Sequence, residues 1–366
     1  MALKRRSKKG ENSSETAKEI SKTIMEKKES TVPVEWFTTG STMLNLPLSG
    51  NPNFGIPRAR VTNFVGDGSA GKTVVALEIA YNFLRYAREI KSRIFNSVKE
   101  PIVIYNNGEG VMDFPLDKMY GTKFKGLVDW RRSQTVESLG RDYLKEAQAL
   151  KKHQSLLYII DSWDQFRSIH DQKILEAKDE DVAKNMQLKK QQYAWHFFSD
   201  VCGLIEDNRV DATLIVVSQT KKKIGVTFGD KSYRTGGDAL NFYTHLVPWL
   251  RVVNKVTKTK HGEKRVYSID SEVKVKRSKV SKPFRISQFR ILYDYGLDDI
   301  ASMANYLKGK GMSSFKGNSM GDLHAFSKKI EEQGLKEKMS RKCGKYWARV
   351  EDAFSQEVSE RKQKDL

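Results

Sequence analysis

Four apolar runs stand out along the chain: "RVTNFVG" (60–66), "PIVIYN" (101–106), "SLLYIID" (155–161) and "ATLIVVSQ" (212–219). Short runs of this kind, with little polar alternation, predict strands buried on both faces. The segments between them switch to helical spacing. Ala76, Ile79, Ala80, Phe83, Ala87 and Ile90 share one helix face. Val136, Leu139, Tyr143, Ala147 and Leu150 mark a second helix over about 134–152, and Leu188, Trp195, Phe198, Cys202 and Ile205 a third. Strand and helix alternate, so the expected core is α/β with a mostly parallel central sheet.

The pattern changes after about residue 243. "LVPWLRVVNKV", "KRVYSIDSEVKVK" and "FRISQFRILYD" follow one another without helical spacing, and "TKTKHGEK" supplies a hairpin-like turn. An antiparallel extension of the sheet is expected there. Residues 308–322 have linker composition. Two amphipathic helical stretches follow, one with Leu335 and Met339, the other with Trp347, Val350 and Phe354. At the other end, residues 1–14 are polar and charged, and 15–29 suit a short helix with Ile20, Ile24 and Met25 on one side. Residues 32–60 mix Gly, Pro and Asn with short apolar pieces, as loops and edge structure do. The chain divides into a basic tip and helix (1–34), a core (35–305) and a helical C-terminal region (306–366).

Charge narrows the partners. The formal net charge is +20 over 366 residues. That excess does not fix a fold, but it draws the molecule to polyanions, nucleic acid first and an acidic membrane surface second. Only Cys202 and Cys343 are present, far apart, which argues against a disulfide framework and fits a reducing cytosol. No apolar run reaches the roughly 20 residues of a membrane span. The basic N-terminus lacks the apolar core of a signal peptide, so a cytoplasmic location is expected.

One motif carries explicit chemistry. "GDGSAGKT", comprising Gly66, Asp67, Gly68, Ser69, Ala70, Gly71, Lys72 and Thr73, matches G-x-x-x-x-G-K-[ST] between a strand and a helix. Glycines let the backbone wrap closely so that its N–H groups point at phosphate oxygens, and the helix N-terminus favours the anion. Lys72 can reach the β- and γ-phosphates, and the Thr73 hydroxyl can bind Mg²⁺. ATP and Mg²⁺ are therefore the expected ligands. Asp161, directly after an apolar run, suits the acidic partner of that metal, although an Asp there can also cap a turn. Glu109, in "YNNGEGVMD", follows a strand and can activate water, although a lone loop Glu is usually just solvated. Strand C-termini in a parallel sheet collect on one edge, so the glycine-rich loop, Glu109, Asp161 and Gln219 can meet there.

"SQTKKKIGVTFGDKSYRTGG" (218–237) runs from a buried strand into a cationic, glycine-studded loop. Lys221, Lys222, Lys223, Lys231 and Arg234 suit DNA phosphates, while Ile224 and Phe228 suit wedges between unstacked bases. Gly236 and Gly237 allow close backbone approach. Read alone, the stretch is a solvated basic loop.

Taken as a set, the glycine-rich loop, "NNGEGVMD", "LLYIIDS", "VVSQTKKKIGVTFG…TGGDALNFY" and "VKVKRSKVSKPF" resemble, in order and spacing, the bacterial RecA recombinase family. The resemblance covers about residues 35–300, and it suits a divergent, phage-encoded member. It implies a RecA-like P-loop ATPase core that forms a helical filament on single-stranded DNA, pairs it with duplex DNA, and holds ATP at each subunit interface. Single-strand-binding and mediator proteins are implied partners. By position, Lys72 and Thr73 hold phosphate and Mg²⁺, Glu109 activates water, and Asp161 supports the metal. Asp113 matches the acid beside the adenine, and Gln219 the glutamine that senses the γ-phosphate. Arg277 and Lys279 match two cations that reach the neighbouring subunit's nucleotide; without the family they read as a solvated strand edge. Lys189 and Lys190 are assigned to the first DNA-binding loop, within 170–190. Two departures stand out: Asn241 replaces the family's usual lysine at a subunit contact, and Thr227 a usual methionine.

The expected function is an ATP-dependent DNA recombinase. A ring-forming helicase or motor of the same core fold remains open, as does a non-catalytic DNA-binding homologue.

Overall fold

The computed structural model describes residues 34–359 except 111, 170–182, 209, 223–231, 235–236, 313 and 318–319. The segments expected over 1–14 and 15–29 lie outside the described residues. The compact unit described below begins at Glu35.

Its centre is a sheet in the order β12-β11-β10-β9-β3-β7-β6-β4-β5. These strands are β3 (Val61–Gly66), β4 (Glu100–Asn107), β5 (Val128–Arg131), β6 (Gln154–Asp161), β7 (Ala212–Lys222), β9 (Leu246–Lys260), β10 (Glu263–Ser278), β11 (Ile286–Leu292) and β12 (Gly296–Leu297). From β9 through β3, β7, β6 and β4 to β5 the pairing is parallel. Beyond β9 it is antiparallel. The α/β core with a mostly parallel sheet and an antiparallel extension is thus as expected.

Side chains alternate between two cores. Leu157 and Ile159 of β6, and Ile215 and Val217 of β7, face a core built with α2 (Lys72–Tyr86), α8 (Asp299–Gly309), α9 (Met320–Glu332) and α10 (Lys336–Ser359). Leu156, Tyr158, Ile160, Leu214 and Val216 face the other core, with α5 (Val136–Gln148), α6 (Ala183–Asn208) and α7 (Gly237–Tyr243). The period of two explains why these strands read as unbroken apolar runs.

Several elements differ from expectation. Residues 42–49, expected as loop, form helix α1 (Thr42–Ser49), capped by the Ser41 side chain and ended by Gly50 at φ 88°. Pro47 sits inside it. A proline there removes the N–H that would bond the carbonyl four residues back. That carbonyl, of Met43, instead accepts the Ser287 hydroxyl. The buried face of α6 is Ala194, Phe197, Phe198, Val201 and Ile205, whereas Trp195 is turned out onto Phe242 and Tyr243 of α7. At the C-terminus, α9 ends at a turn with Gly334 at φ 60°, and one helix then carries Met339, Trp347, Val350 and Phe354 together. Leu335 lies in the link and Phe354 is exposed. The hairpin turn between β9 and β10 is where the sequence placed it, with His261 and Gly262 both at positive φ. No helix among the described residues is long and apolar enough to cross a membrane.

Candidate functional site

The parallel strands β3, β7, β6 and β4 lie side by side, so their C-terminal ends form one edge. Gly66, Gln219, Asp161 and Asn107 end or flank these strands there: Gly66 pairs with Gln219, and Asp161 with Asn107. The four segments singled out in the sequence therefore meet.

The glycine-rich loop is packed from below. A side chain at Gly66 would put its Cβ 2.5 Å from the Leu250 carbonyl oxygen. Gly71 has φ 89°, and a Cβ there would lie 2.0 Å from Ile291 Cδ1. The Ala70 carbonyl accepts the Ser271 hydroxyl at 3.1 Å. Nothing lies within 4 Å of the corresponding position at Gly68, so the loop is open on that side. Strands of the antiparallel extension thus brace the loop beneath an open cradle. Lys72 is buried, and its ammonium donates to the Asp67 carbonyl at 2.7 Å. Burial lowers its pKa, opposed by the carboxylates of Asp161, Glu109, Asp67 and Asp164.

Asp161 is buried at the end of β6. The Tyr105 hydroxyl donates to its Oδ2 at 2.6 Å, while Oδ1 is sealed from solvent without a well-formed hydrogen bond. Burial raises the carboxyl's pKa; the Tyr105 and Thr73 hydroxyls oppose the rise, Glu109 adds to it and Lys72 opposes it. A buried carboxylate oxygen left over beside a threonine hydroxyl, under a cradle of backbone N–H groups, fits a hard divalent cation such as Mg²⁺. The fit holds for Thr73 and Asp161 as a donor set made only of oxygen.

Glu109 is exposed in the loop after β4. Asn107 shapes that loop by accepting the Glu109 and Gly110 N–H groups at 3.0 and 3.3 Å. The Glu109 carboxylate accepts Gln219 Nε2 at 2.9 Å and the Ser162 hydroxyl at 3.3 Å. The Gln219 backbone N–H donates to Asp164 Oδ2 at 2.5 Å, and the Thr220 hydroxyl donates to the Asp67 carboxylate. Two residues at the end of β7 thus touch both the loop carboxylate and the glycine-rich loop. Asp164, Asn107, Ser162 and Thr220 were not singled out in the sequence. The signal for Asp164 was its place three residues after Asp161, past the same strand.

Beyond Gln219, β7 continues to Lys222 and pairs antiparallel with β8 (Ser232–Arg234), Thr220 opposite Arg234. What the sequence presents as a loop from 218 is a hairpin for its first residues. The backbones of Lys221, Lys222 and Arg234 lie on its two strands, and Gly237 begins α7. Lys223, Ile224, Phe228, Lys231 and Gly236 lie outside the described residues, as does the Lys189 side chain. Lys190 is placed otherwise than as an open cation: its ammonium donates to the carbonyls of Phe166, Trp163 and Asp164 at 2.6, 3.1 and 3.4 Å.

Asp113 is exposed, next to the exposed ring of Phe114. The Lys118–Asp294 ion pair, 3.2 Å, ties the following helix α3 (Leu116–Tyr120) to the turn after β11. Tyr293 and Tyr295 flank Asp294 in that turn and are half-exposed. Arg277 and Lys279 lie elsewhere. Arg277 pairs with Val247 and Ser278 with Leu246, which is opposite Thr62 at the start of β3, whereas Leu250 is opposite Gly66. Four residues of strand are about 13 Å. These cations therefore sit at the end of the sheet away from their own glycine-rich loop. The Lys279 ammonium donates to the Phe242 carbonyl at 2.7 Å.

Cys202, Glu206 and His245 also cluster near that far end. The Val61 N–H donates to His245 Nδ1, so the neutral ring carries its proton on Nε2, directed at Glu206 3.0 Å away. That tautomer presents no free lone pair to a metal, and the group is a structural hydrogen-bond relay.

A model of the RecA N-terminal domain matches residues 176–298, a stretch that starts beyond the glycine-rich loop. Curated relatives extend the likeness upstream. Protein RecA of Picosynechococcus sp. is 25% identical over 264 residues, 72% of this chain and 68% of that protein. Protein RecA of Synechocystis sp. is 25% identical over 284 residues, 76% of this chain and 71% of that protein. Protein RecA of Prochlorococcus marinus strain NATL1A is 26% identical over 325 residues, 84% of this chain and 77% of that protein. With the sheet order and the loop geometry above, these matches make the chain similar to RecA proteins over most of its length.

Proposed function

We propose that the protein is a DNA-dependent ATPase and recombinase that assembles as a helical filament on single-stranded DNA and pairs it with homologous duplex. The observation that carries the reading is the Gln219–Glu109 hydrogen bond of 2.9 Å. The carboxylate placed to activate water is held by the residue that opens the cationic hairpin. DNA at the hairpin and ATP at the loop thereby act on one side chain.

The chemistry divides among this chain's own residues. Backbone N–H groups of Gly68 to Lys72 cradle the phosphates, and Lys72 neutralises them. Thr73 and Asp161 would hold Mg²⁺, which would neutralise charge on the phosphate oxygens. Glu109 orients a water and accepts its proton. Asp113 serves the adenine. Arg277 and Lys279, remote from their own loop, serve the nucleotide of a neighbouring copy, which requires assembly. Lys221, Lys222, Lys223, Lys231 and Arg234 take DNA phosphates, and Ile224 and Phe228 separate bases.

Negative-stain imaging with single-stranded DNA and a slowly hydrolysed ATP analogue tests the reading. Helical filaments support it. Closed rings favour a ring-forming motor of the same fold, and the absence of both filaments and rings would overturn the filament reading.

A further inference from the structure

A cleft walled by exposed arginines lies beside the Glu109 loop. It has two adjoining parts, of ≈ 400 and ≈ 560 Å³, which share Arg132, Ser133 and Gln134. Arg167 lines the first part and Arg141 the second. The Arg132, Arg141 and Arg167 guanidinium groups are exposed and have no ion-pair partner among the described residues. Arg131, the fourth arginine, is already matched by Asp129, Asp142 and Glu146. Asp142 is the one carboxylate in the wall, and it is occupied by Arg131 and by the Tyr158 hydroxyl.

The wall is held in place from within. Buried Asn106 at the end of β4 accepts the Ser133 N–H at 2.9 Å and donates to the Ser133 hydroxyl at 2.8 Å. It also donates to the Tyr158 hydroxyl at 2.8 Å, which in turn donates to Asp142 at 2.7 Å. The opposite wall is fixed by the Val136 N–H, which donates to the Arg167 carbonyl at 2.9 Å. A satisfied buried polar network of this kind specifies one geometry. Arg132 lies directly against the Glu109 loop: a Cβ at Gly110 would be 2.8 Å from its Nη2.

We infer that this cleft is a phosphate-oxyanion site, with Arg132 and Arg167 as its forks. Arginine pairs match the bidentate geometry of phosphate oxygens, and three cations without an ion-pair partner among the described residues favour an anionic ligand. Two sources share that chemistry: inorganic phosphate leaving the neighbouring hydrolytic site, and backbone phosphates of bound DNA. The inference rests on the proposed ATPase and DNA-binding reading for its sources, not for its residues.

The test uses the full-length protein in a Lys72→Ala background, which weakens phosphate binding at the glycine-rich loop. Binding of inorganic phosphate is followed by ³¹P NMR, and binding of single-stranded DNA by fluorescence anisotropy across a salt series. Arg132→Ala/Arg167→Ala is compared with Arg341→Ala/Arg349→Ala, two exposed arginines on α10 that control for net charge. Loss of at least tenfold in phosphate affinity, with DNA binding as in the control, assigns the cleft to free phosphate. A salt slope shallower by about one to one and a half units than the control, with tenfold weaker DNA binding, assigns it to DNA phosphates. If the cleft variant matches Arg341→Ala/Arg349→Ala in both measurements, the site is refuted, and the arginines belong to another contact such as an acidic protein segment. Failure of the parent protein to bind DNA at all would count against the proposed function, while the phosphate arm still decides the cleft.

Discussion

Gln219 Nε2 lies 2.9 Å from Glu109 Oε1, and the backbone N–H of the same residue lies 2.5 Å from Asp164. One residue is thus fixed to the end of β6 by its main chain and to the loop after β4 by its side chain. It also stands three residues before the end of β7, where the hairpin pairing begins. Gln219→Ala is expected to cut the link while sparing both ends. Nucleotide affinity should stay within about twofold, and the ratio of ATPase rates with and without single-stranded DNA should fall to about one. A ratio equal to wild type would show that the signal runs elsewhere.

Glu109→Gln keeps the Gln219 contact in shape but removes the base. Turnover should drop by about 10²–10⁴ with ATP still bound, which a filter-binding assay and a steady-state assay separate.

The sheet register puts Arg277 at the far end from its own Gly66. Two inactive variants should therefore complement each other. Lys72→Ala lacks a working loop and Arg277→Ala lacks the donated cation. An equimolar mixture should regain activity at roughly a quarter of its interfaces. Mixtures no more active than the separate variants would contradict donation between copies.

Two glycines of the loop separate packing from binding. Gly71→Ala must place a Cβ against Ile291 at a φ of 89°, so a stability loss of about 2 kcal/mol or more and loss of nucleotide binding are expected. Gly68→Ala meets no atom within 4 Å and should leave the melting temperature unchanged.

Glu78 on α2 is the clearest pH-sensitive group. Burial raises its carboxyl pKa to about 7, opposed by the Asn82 side chain, Lys336, Tyr120 and the Leu297 N–H. A folded-state value above the unfolded one means that folding takes up a proton. This contribution is present at low pH and is lost as pH rises through about 7. Glu78→Gln should flatten the fall in stability between pH 6 and pH 8, by on the order of 1 kcal/mol, read from denaturant unfolding at each pH. An unchanged profile would place the proton elsewhere.

The four buried strands and their shared edge were legible because continuous β-branched runs allow few other structures. The motif Gly66 to Thr73 was legible because its chemistry demands fixed spacing. Helix α1 was not: its first seven residues are all buried and so show no period, and Pro47 argues against a helix until Ser287 takes up the Met43 carbonyl. Lys190 shows the converse limit. Its sequence neighbourhood suggested an open cation, yet its ammonium is held by three carbonyls at the end of β6. The arginine cleft was equally hidden, since Arg132 and Arg167 are 35 positions apart and meet only because β4, β5 and β6 are neighbours.

DNA and ATP are expected to act on one another through this edge. The direct measurement is the steady-state ATPase rate of the wild-type protein with and without single-stranded DNA, at saturating ATP and Mg²⁺. A rise of at least tenfold with DNA is expected, abolished in Gln219→Ala. An equal rate with and without DNA, under conditions where DNA binding is independently seen, would contradict it.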